Sequence, residues 1–135
     1  MSNETLNLTA TRQPSGYLDI DVEEAHRNLG AFRVIDVREP HEYHGELSHI
    51  PGAELVPLDT VPQAADAWDR DEPLLMICRS GARSGRAAEF LKLQGFKAVH
   101  NMVGGMLRWN EIGLPTQRNT ADVAARAAQA GASGQ

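Results

Sequence analysis

Residues 73–84 read PLLMICRSGARS, and this stretch decides the fold. Residues 74–77 form an apolar run without charged side chains, which is typical of a central strand buried on both faces. A helical pattern begins near Ala82, after a loop that contains Gly81. A strand, a tight loop and a helix in this order direct successive backbone N–H groups and the positive end of the helix dipole toward one point. The stretch therefore predicts a strand–loop–helix unit built around an anion.

Cys78 opens this loop and is the only cysteine of the chain. A thiol in that position is expected to have a lowered pKa, and the thiolate is the nucleophilic form of cysteine. Arg79 and Arg83 add fixed positive charge that can hold an anionic substrate. The alternative is a packed core cysteine, because free cysteines are among the most buried residues. Since Cys78 follows the strand and precedes two arginines and a glycine within five residues, the functional interpretation is favoured.

Strands alternate with helices on both sides of this loop. The pattern predicts an α/β fold with a parallel sheet, helices on both of its faces and right-handed crossovers. The predicted strands cover residues 17–20, 32–38, 54–58, 74–77 and 98–103. Asp36 and Arg38 lie at the C-terminal end of the second of these strands, where open α/β sheets have their binding crevice.

The length of 135 residues corresponds to one domain. We expect residues 1–14 to form a flexible polar lead and residues 15–116 to form the folded domain. Residues 117–135 are rich in alanine and poor in large apolar side chains, so this tail is expected to be helical or disordered.

Composition limits the partners and the compartment. A net charge of -5, with arginines spread along the chain, argues against nucleic acid as a partner. A single cysteine cannot form an internal disulfide, which favours a reducing compartment. Residues 1–10 lack the apolar core of a signal peptide, and no apolar run approaches the length of a membrane span. The composition therefore predicts a cytoplasmic protein with no membrane partner.

Neither a metal nor a cofactor is expected. His41, His44 and His49 lie within nine positions, but no cysteine joins them and their spacing matches no zinc motif. Gly104-Gly105 lacks the third glycine and the acidic partner of a dinucleotide fingerprint, and no Gly-Lys-Ser/Thr of a P-loop occurs.

Five motifs, in their order along residues 15–115, resemble those of the rhodanese family and specifically its small single-domain sulfurtransferases. They are residues 34–39 (VIDVRE), Glu42-Tyr43, residues 49–53 (HIPGA), residues 78–84 (CRSGARS), and Gly104-Gly105 with Trp109. The resemblance implies a rhodanese-like fold with a five-stranded parallel sheet. Ser48 departs from the family, which usually has glycine there, and this concerns the local shape of the loop.

The resemblance also implies a reaction. The Cys78 thiolate would attack the outer sulfur of thiosulfate or a related small anionic donor, sulfite would leave, and cyanide or a cellular thiol would take the sulfur from the resulting persulfide. Asp36 and Arg38 would pair with the loop arginines and support the loop. The backbone N–H groups that would hold the persulfide and the donor belong to Arg79, Ser80, Gly81, Ala82, Arg83 and Ser84. Because the chain has no second thiol, the acceptor must come from outside, either as a small molecule or as a sulfur-relay protein.

Other functions use a similar loop. A cysteine phosphatase of this fold has five residues between its cysteine and its arginine, whereas here four residues separate Cys78 from Arg83 and the phosphatase position holds Ser84. This smaller loop favours sulfur over phosphate as the transferred group. An arsenate reductase is a further variant of the fold and is also disfavoured. A sulfur-carrier module, which passes a persulfide between proteins, needs the same loop as an enzyme, so the residues leave that alternative open.

Overall fold

A computed structural model describes residues 10–117, which form one mixed sheet with helices packed on both of its faces. The strands are β1 (Thr11–Arg12), β2 (Leu18–Ile20), β3 (Arg33–Asp36), β4 (Glu54–Leu55), β5 (Leu74–Ile77) and β6 (Val99–Met102). The α-helices are α1 (Val22–Arg27), α2 (Pro40–Tyr43), α3 (Val61–Ala65), α4 (Ala82–Leu93) and α5 (Gly105–Glu111), with 3-10 turns at Leu29–Ala31 and Leu58–Thr60. Residues 1–9 of the predicted lead and residues 118–135 of the predicted tail lie outside the described residues.

The strand order across the sheet is β1-β2-β6-β5-β3-β4. Strands β2 through β6 pair in parallel and correspond to the five strands predicted from the sequence. Strand β5 pairs with both β3 and β6, which confirms its predicted central position. Parallel pairing follows from the alternation of strands with helices, because a crossover returns the chain to the same end of the sheet.

The prediction of five strands is wrong by one, since the sheet has a sixth. Strand β1 pairs with β2 in the antiparallel direction, with Thr11 opposite Asp19. Both residues of β1 are exposed. A two-residue strand without a buried side chain leaves no hydrophobic alternation in the sequence, so this strand could not be recognised there. It makes the sheet mixed and lies within the predicted polar lead.

The apolar run of β5 is buried because it serves two cores. Leu75 and Ile77 pack with residues of α1 and α5 on one face of the sheet. Leu74 and Met76 pack with residues of α3 and α4 on the other face, and Cys78 continues this second row. Successive side chains of a strand point to opposite faces, so this division confirms the predicted helices on both faces.

Three strands end together at one edge of the sheet. The parallel register places Asp36 beside Ile77 and Met76 beside Asn101. The loops that follow β3, β5 and β6 therefore meet at this edge, which is where open α/β sheets bind their ligands.

Candidate active site

The loop after β5 is held by the start of α5. The N–H groups of Met106 and Leu107 donate to the carbonyl oxygens of Cys78 and Arg79, at N–O distances of 2.9 and 3.0 Å. A Cβ on Gly105 would lie 2.3 Å from the Arg79 oxygen, and Gly105 has a φ of +56°. Only glycine lets α5 begin this close to the loop. The glycine pair singled out in the sequence therefore has a structural role in shaping the loop.

The Cys78 sulfur receives hydrogen bonds from the loop that follows it. The Gly81 N–H lies 3.0 Å from Sγ, and the Ser84 Oγ lies 3.3 Å from it. Burial raises the pKa of the Cys78 thiol, but hydrogen bonds from the Ser84 hydroxyl and from the N–H groups of Ser84, Gly81 and Ser80 outweigh burial and lower the pKa below its ordinary value. The surroundings therefore favour a thiolate.

The predicted loop residues occupy two elements. Arg79, Ser80 and Gly81 form the loop itself, and Ala82, Arg83 and Ser84 form the first turn of α4. Gly81 caps this helix with a φ of +109°, which glycine adopts without strain. Cys78 is only 1% exposed and joins an apolar core cluster, as the core-cysteine alternative requires. That alternative does not account for the donors directed at its sulfur.

Arg83 forms an ion pair that the sequence did not reveal. Its Nη1 and Nη2 atoms donate to Oε1 and Oε2 of Glu42 at 2.8 and 2.9 Å. The hydrogen bond from Arg83 is the main reason why the pKa of Glu42 falls to about 2, against an opposing effect of burial and with help from the Glu39 N–H. Arg79 differs, since among residues 10–117 no carboxylate lies within ion-pair distance of its guanidinium.

Asp36 and Arg38 pair with each other and not with the loop arginines, so that part of the prediction is wrong. The Arg38 Nη2 lies 2.7 Å from Asp36 Oδ2 and also donates to the carbonyl oxygen of Ser48 at 2.7 Å. A further donation from Arg38 Nη1 reaches the Glu42 carbonyl at 3.2 Å. Both members of the pair are fully buried. They tie the end of β3 to the segment that carries Glu42, and so support the loop indirectly.

A cleft of about 390 Å³ opens beside the loop. Its lining comes from three parts of the chain and includes Arg38, His41, Glu42, Gly45, Glu46, Leu47, Arg79 and Leu107. Both charge signs are represented, because the lining includes the guanidinium of Arg79 and the carboxylates of Glu42 and Glu46. The cleft can therefore admit a small anion next to the cysteine loop without being a strongly cationic pocket.

Of the three histidines singled out in the sequence, His41 lines the cleft, and the rings of His44 and His49 lie 6.3 Å apart. His49 Nδ1 lies 3.0 Å from the Tyr43 carbonyl oxygen, and the two rings stack at a centroid distance of 3.7 Å. Across the part of the chain that the structure describes, no group of three or more His, Cys, Asp or Glu residues is arranged to hold a metal ion. Within residues 10–117, no helix combines the length and the apolar character needed to cross a membrane.

Asn101 is a second site residue that the sequence interpretation missed. It lies on β6, is 4% exposed, and places its carboxamide between Ser84 and Asp19. The available signal was a polar residue in the interior of a predicted strand, three residues before Gly104. Its partner Ser84 was predicted as a site residue only for its backbone, yet its hydroxyl also faces the sulfur.

Comparison with known proteins places this site in a family. A family model described as a rhodanese-like domain matches residues 21–112. Thiosulfate sulfurtransferase GlpE of Stutzerimonas stutzeri is 37% identical over 92 residues, which cover 67% of this chain and 82% of that protein. Putative sulfur carrier protein YrkF of Bacillus subtilis is 43% identical over 79 residues, which cover 58% of this chain but only 42% of that protein. The crystal structure of a rhodanese-related protein from Thermoplasma volcanium has 32% sequence identity and a TM-score of 0.66, over 72% of this chain and 94% of that one.

Proposed function

The chain belongs to the rhodanese family, and we propose that it is a sulfurtransferase that carries a sulfane sulfur on Cys78. The donor would be thiosulfate or a related small anion, and the acceptor a thiol or, in an assay, cyanide. The observation that carries this proposal is the hydrogen bond from the Gly81 N–H to the Cys78 sulfur, at 3.0 Å, at the head of a loop whose other donors also favour the thiolate.

In the first half-reaction, the Cys78 thiolate attacks the outer sulfur of thiosulfate. A bond forms between the two sulfurs, the sulfur–sulfur bond of thiosulfate breaks, and sulfite leaves with the electron pair. The product is a persulfide anion on Cys78. The charge moves from the cysteine sulfur to the outer sulfur, and fixed backbone donors can stabilise it there without rearranging.

In the second half-reaction, an external nucleophile attacks the outer sulfur. Cyanide would leave as thiocyanate and a thiolate would leave as a persulfide, with the Cys78 thiolate restored in either case. No cysteine other than Cys78 exists in the chain to resolve the persulfide. A thiol acceptor is most available in a reducing compartment such as the cytoplasm.

The two loop arginines would have different roles in binding the donor. Arg79 is exposed and lines the cleft, so its charge can attract an anion directly. Arg83 already donates to Glu42 from both of its terminal nitrogens, so an anion that approaches this side of the guanidinium must compete with the carboxylate. We therefore assign first contact with the donor to Arg79 and closer orientation to Arg83.

A sulfur-carrier role is the second candidate. YrkF, which matches over 79 residues, is named a putative sulfur carrier protein. The burial of Cys78 would also suit a carrier, because it shields a persulfide from solvent. The two roles need the same loop and differ in what delivers and removes the sulfur.

A panel of donors tests the proposal. Thiosulfate, mercaptopyruvate and glutathione persulfide are compared for sulfur transfer to cyanide and to a thiol, with Cys78→Ser as the control. Turnover of at least one small donor that disappears in Cys78→Ser supports the enzyme. Negligible turnover of all three, together with rapid transfer from a protein persulfide, supports the carrier.

A further inference from the structure

A buried chain of polar groups leads from the Cys78 sulfur to β2. The Ser84 Oγ lies 3.3 Å from Cys78 Sγ and 2.5 Å from Asn101 Oδ1. On its other side, the Asn101 Nδ2 donates to Asp19 Oδ1 at 3.0 Å and to the Gly81 carbonyl oxygen at 3.2 Å. Ser84 is fully buried, and Asn101 is 4% exposed.

The orientation of the Asn101 carboxamide follows from its partners. Asp19 offers a carboxylate and Gly81 a carbonyl, and both are acceptors, so the NH₂ end of the carboxamide must face them. The oxygen end then faces Ser84. An amide oxygen carries no hydrogen, so a bond at 2.5 Å requires the Ser84 hydroxyl to donate to it.

A serine hydroxyl has only one hydrogen to donate. The Asn101 oxygen and the Cys78 sulfur therefore compete for this hydrogen, and a stronger bond to Asn101 means a weaker bond to the sulfur. The distance of 2.5 Å to Asn101 is short for a hydrogen bond between two oxygens, whereas 3.3 Å is within the ordinary range for a hydrogen bond to sulfur, so Asn101 competes strongly for the hydrogen. We propose that Asn101 is a positioning residue that draws the Ser84 hydroxyl hydrogen toward itself and so weakens the hydrogen bond from Ser84 to the Cys78 sulfur.

The consequence is that the pKa of Cys78 is higher than it would be in the same loop without Asn101. Without this competition the Ser84 hydrogen bond to the sulfur would be stronger, and the Cys78 thiol would ionise at a lower pH. Nucleophilicity of thiolates falls as their pKa falls, so weakening one of the hydrogen bonds to the sulfur preserves the reactivity of the thiolate. This link to reaction rate rests on the proposed function, whereas the effect on ionisation does not.

Asn101 also donates to the Gly81 carbonyl oxygen. If Asn101 only supported the loop, its removal would change the pKa of Cys78 in the opposite direction. Loss of that contact would loosen the loop, turn its N–H groups away and raise the pKa of Cys78.

The other charged groups of the surrounding elements stay unchanged in the variants below. They are Asp19 on β2, the Asp36 and Arg38 pair after β3, Arg79 in the loop, and Arg83 of α4 with its partner Glu42.

The test is the pH dependence of alkylation by iodoacetamide, which reports Cys78 alone because the chain has no other cysteine. Asn101→Ala frees the Ser84 hydroxyl, and we expect about tenfold more thiolate at a fixed pH below the pKa, the size of one charge-assisted hydrogen bond. Ser84→Ala should change the thiolate fraction less than twofold. In the Ser84→Ala background, Asn101→Ala should have no further effect.

Two outcomes would overturn the proposal. One is less thiolate in Asn101→Ala, the sign of a structural role. The other is a tenfold loss of thiolate in Ser84→Ala, which would mean that Ser84 donates to the sulfur at full strength despite Asn101. If Asn101→Ala does not fold, Asn101→Leu, which keeps the side-chain volume, is used instead. The Ser84→Ala measurement tests the proposal even if neither Asn101 variant folds. Because no sulfur transfer is measured, failure here leaves the proposed function untouched.

Discussion

Arg83 and Glu42 form a bidentate ion pair in which Nη1 and Nη2 lie 2.8 and 2.9 Å from the two carboxylate oxygens. Their side chains are 30% and 20% exposed, so the pair lies at the mouth of the site and not in the core. An arginine of the cysteine loop is thus neutralised by a residue of α2. Any anionic donor that uses Arg83 has to compete with this carboxylate.

Glu42→Gln should therefore bind anionic donors more tightly. The amide keeps the size of the side chain but removes its charge, and we expect the KM for thiosulfate to fall about threefold to tenfold, in line with the energy of a partly exposed ion pair. Steady-state kinetics with thiosulfate and cyanide measures it. Glu89→Gln, which removes a carboxylate from an exposed position on α4, is the matched control for net charge. A rise in KM for Glu42→Gln would contradict the competition.

Arg83→Ala should have the opposite effect and raise the KM for thiosulfate, because it removes an orienting charge and leaves Glu42 unneutralised. The double variant Glu42→Gln/Arg83→Ala should lie between wild type and Arg83→Ala. If the KM of Arg83→Ala matched that of wild type, Arg83 would have no part in donor binding.

The same pair should make stability depend on acid pH. The pKa of Glu42 is about 2 in the folded protein against an ordinary 4.5, so the charged carboxylate favours the folded state. This contribution is complete above about pH 5 and is lost as the pH falls toward the folded pKa. Between pH 7 and pH 3, we expect the free energy of unfolding to fall by about 1–2 kcal/mol less in Glu42→Gln than in wild type, after allowance for solvent screening. Urea titrations at pH 7 and at pH 3 measure it, and equal acid losses in both proteins would refute it.

Gly105→Ala should damage both the fold and the loop. The added Cβ would lie 2.3 Å from the Arg79 carbonyl oxygen at a φ of +56°, so α5 would have to move and release the carbonyls of Cys78 and Arg79. We expect a loss of about 2–4 kcal/mol in the free energy of unfolding and of most sulfur transfer. Gly30→Ala is the control, because a Cβ there meets no atom within 4 Å. Normal stability of Gly105→Ala would show that the contact is not restrictive.

Ser48→Gly should stabilise the protein. Ser48 has a φ of +55°, which lies in the left-handed region that is unfavourable for residues with a Cβ. Its carbonyl oxygen accepts a hydrogen bond from the buried Arg38 guanidinium, and this bond fixes the conformation. Glycine relieves this cost but loses more chain entropy, so we expect a net gain of up to about 1 kcal/mol by thermal or urea unfolding. Ser48→Ala keeps the Cβ and should show no gain. Destabilisation by Ser48→Gly would mean that the serine side chain has a role of its own.

The sequence predicted what depends on local pattern. The five parallel strands, the buried β5 and the loop from Cys78 to Ser84 all follow from periodicity and from the order of strand, glycine loop and helix. The loop's neighbours did not follow, because they are set by how strands are ordered in space. Glu42 meets Arg83 across 41 positions of the chain, and Asn101 reaches Ser84 only because β6 lies beside β5. Asp36 and Arg38 were expected to pair with the loop arginines. They lie two residues apart at the end of one strand and form an ion pair with each other instead.

Intact-protein mass spectrometry after exposure to thiosulfate without an acceptor tests the transfer of sulfur to Cys78 most directly. We expect wild type to gain the mass of one sulfur atom, to lose it on addition of cyanide with release of thiocyanate, and Cys78→Ser to gain nothing. An unchanged mass for wild type, or the same gain in Cys78→Ser, would contradict a Cys78 persulfide.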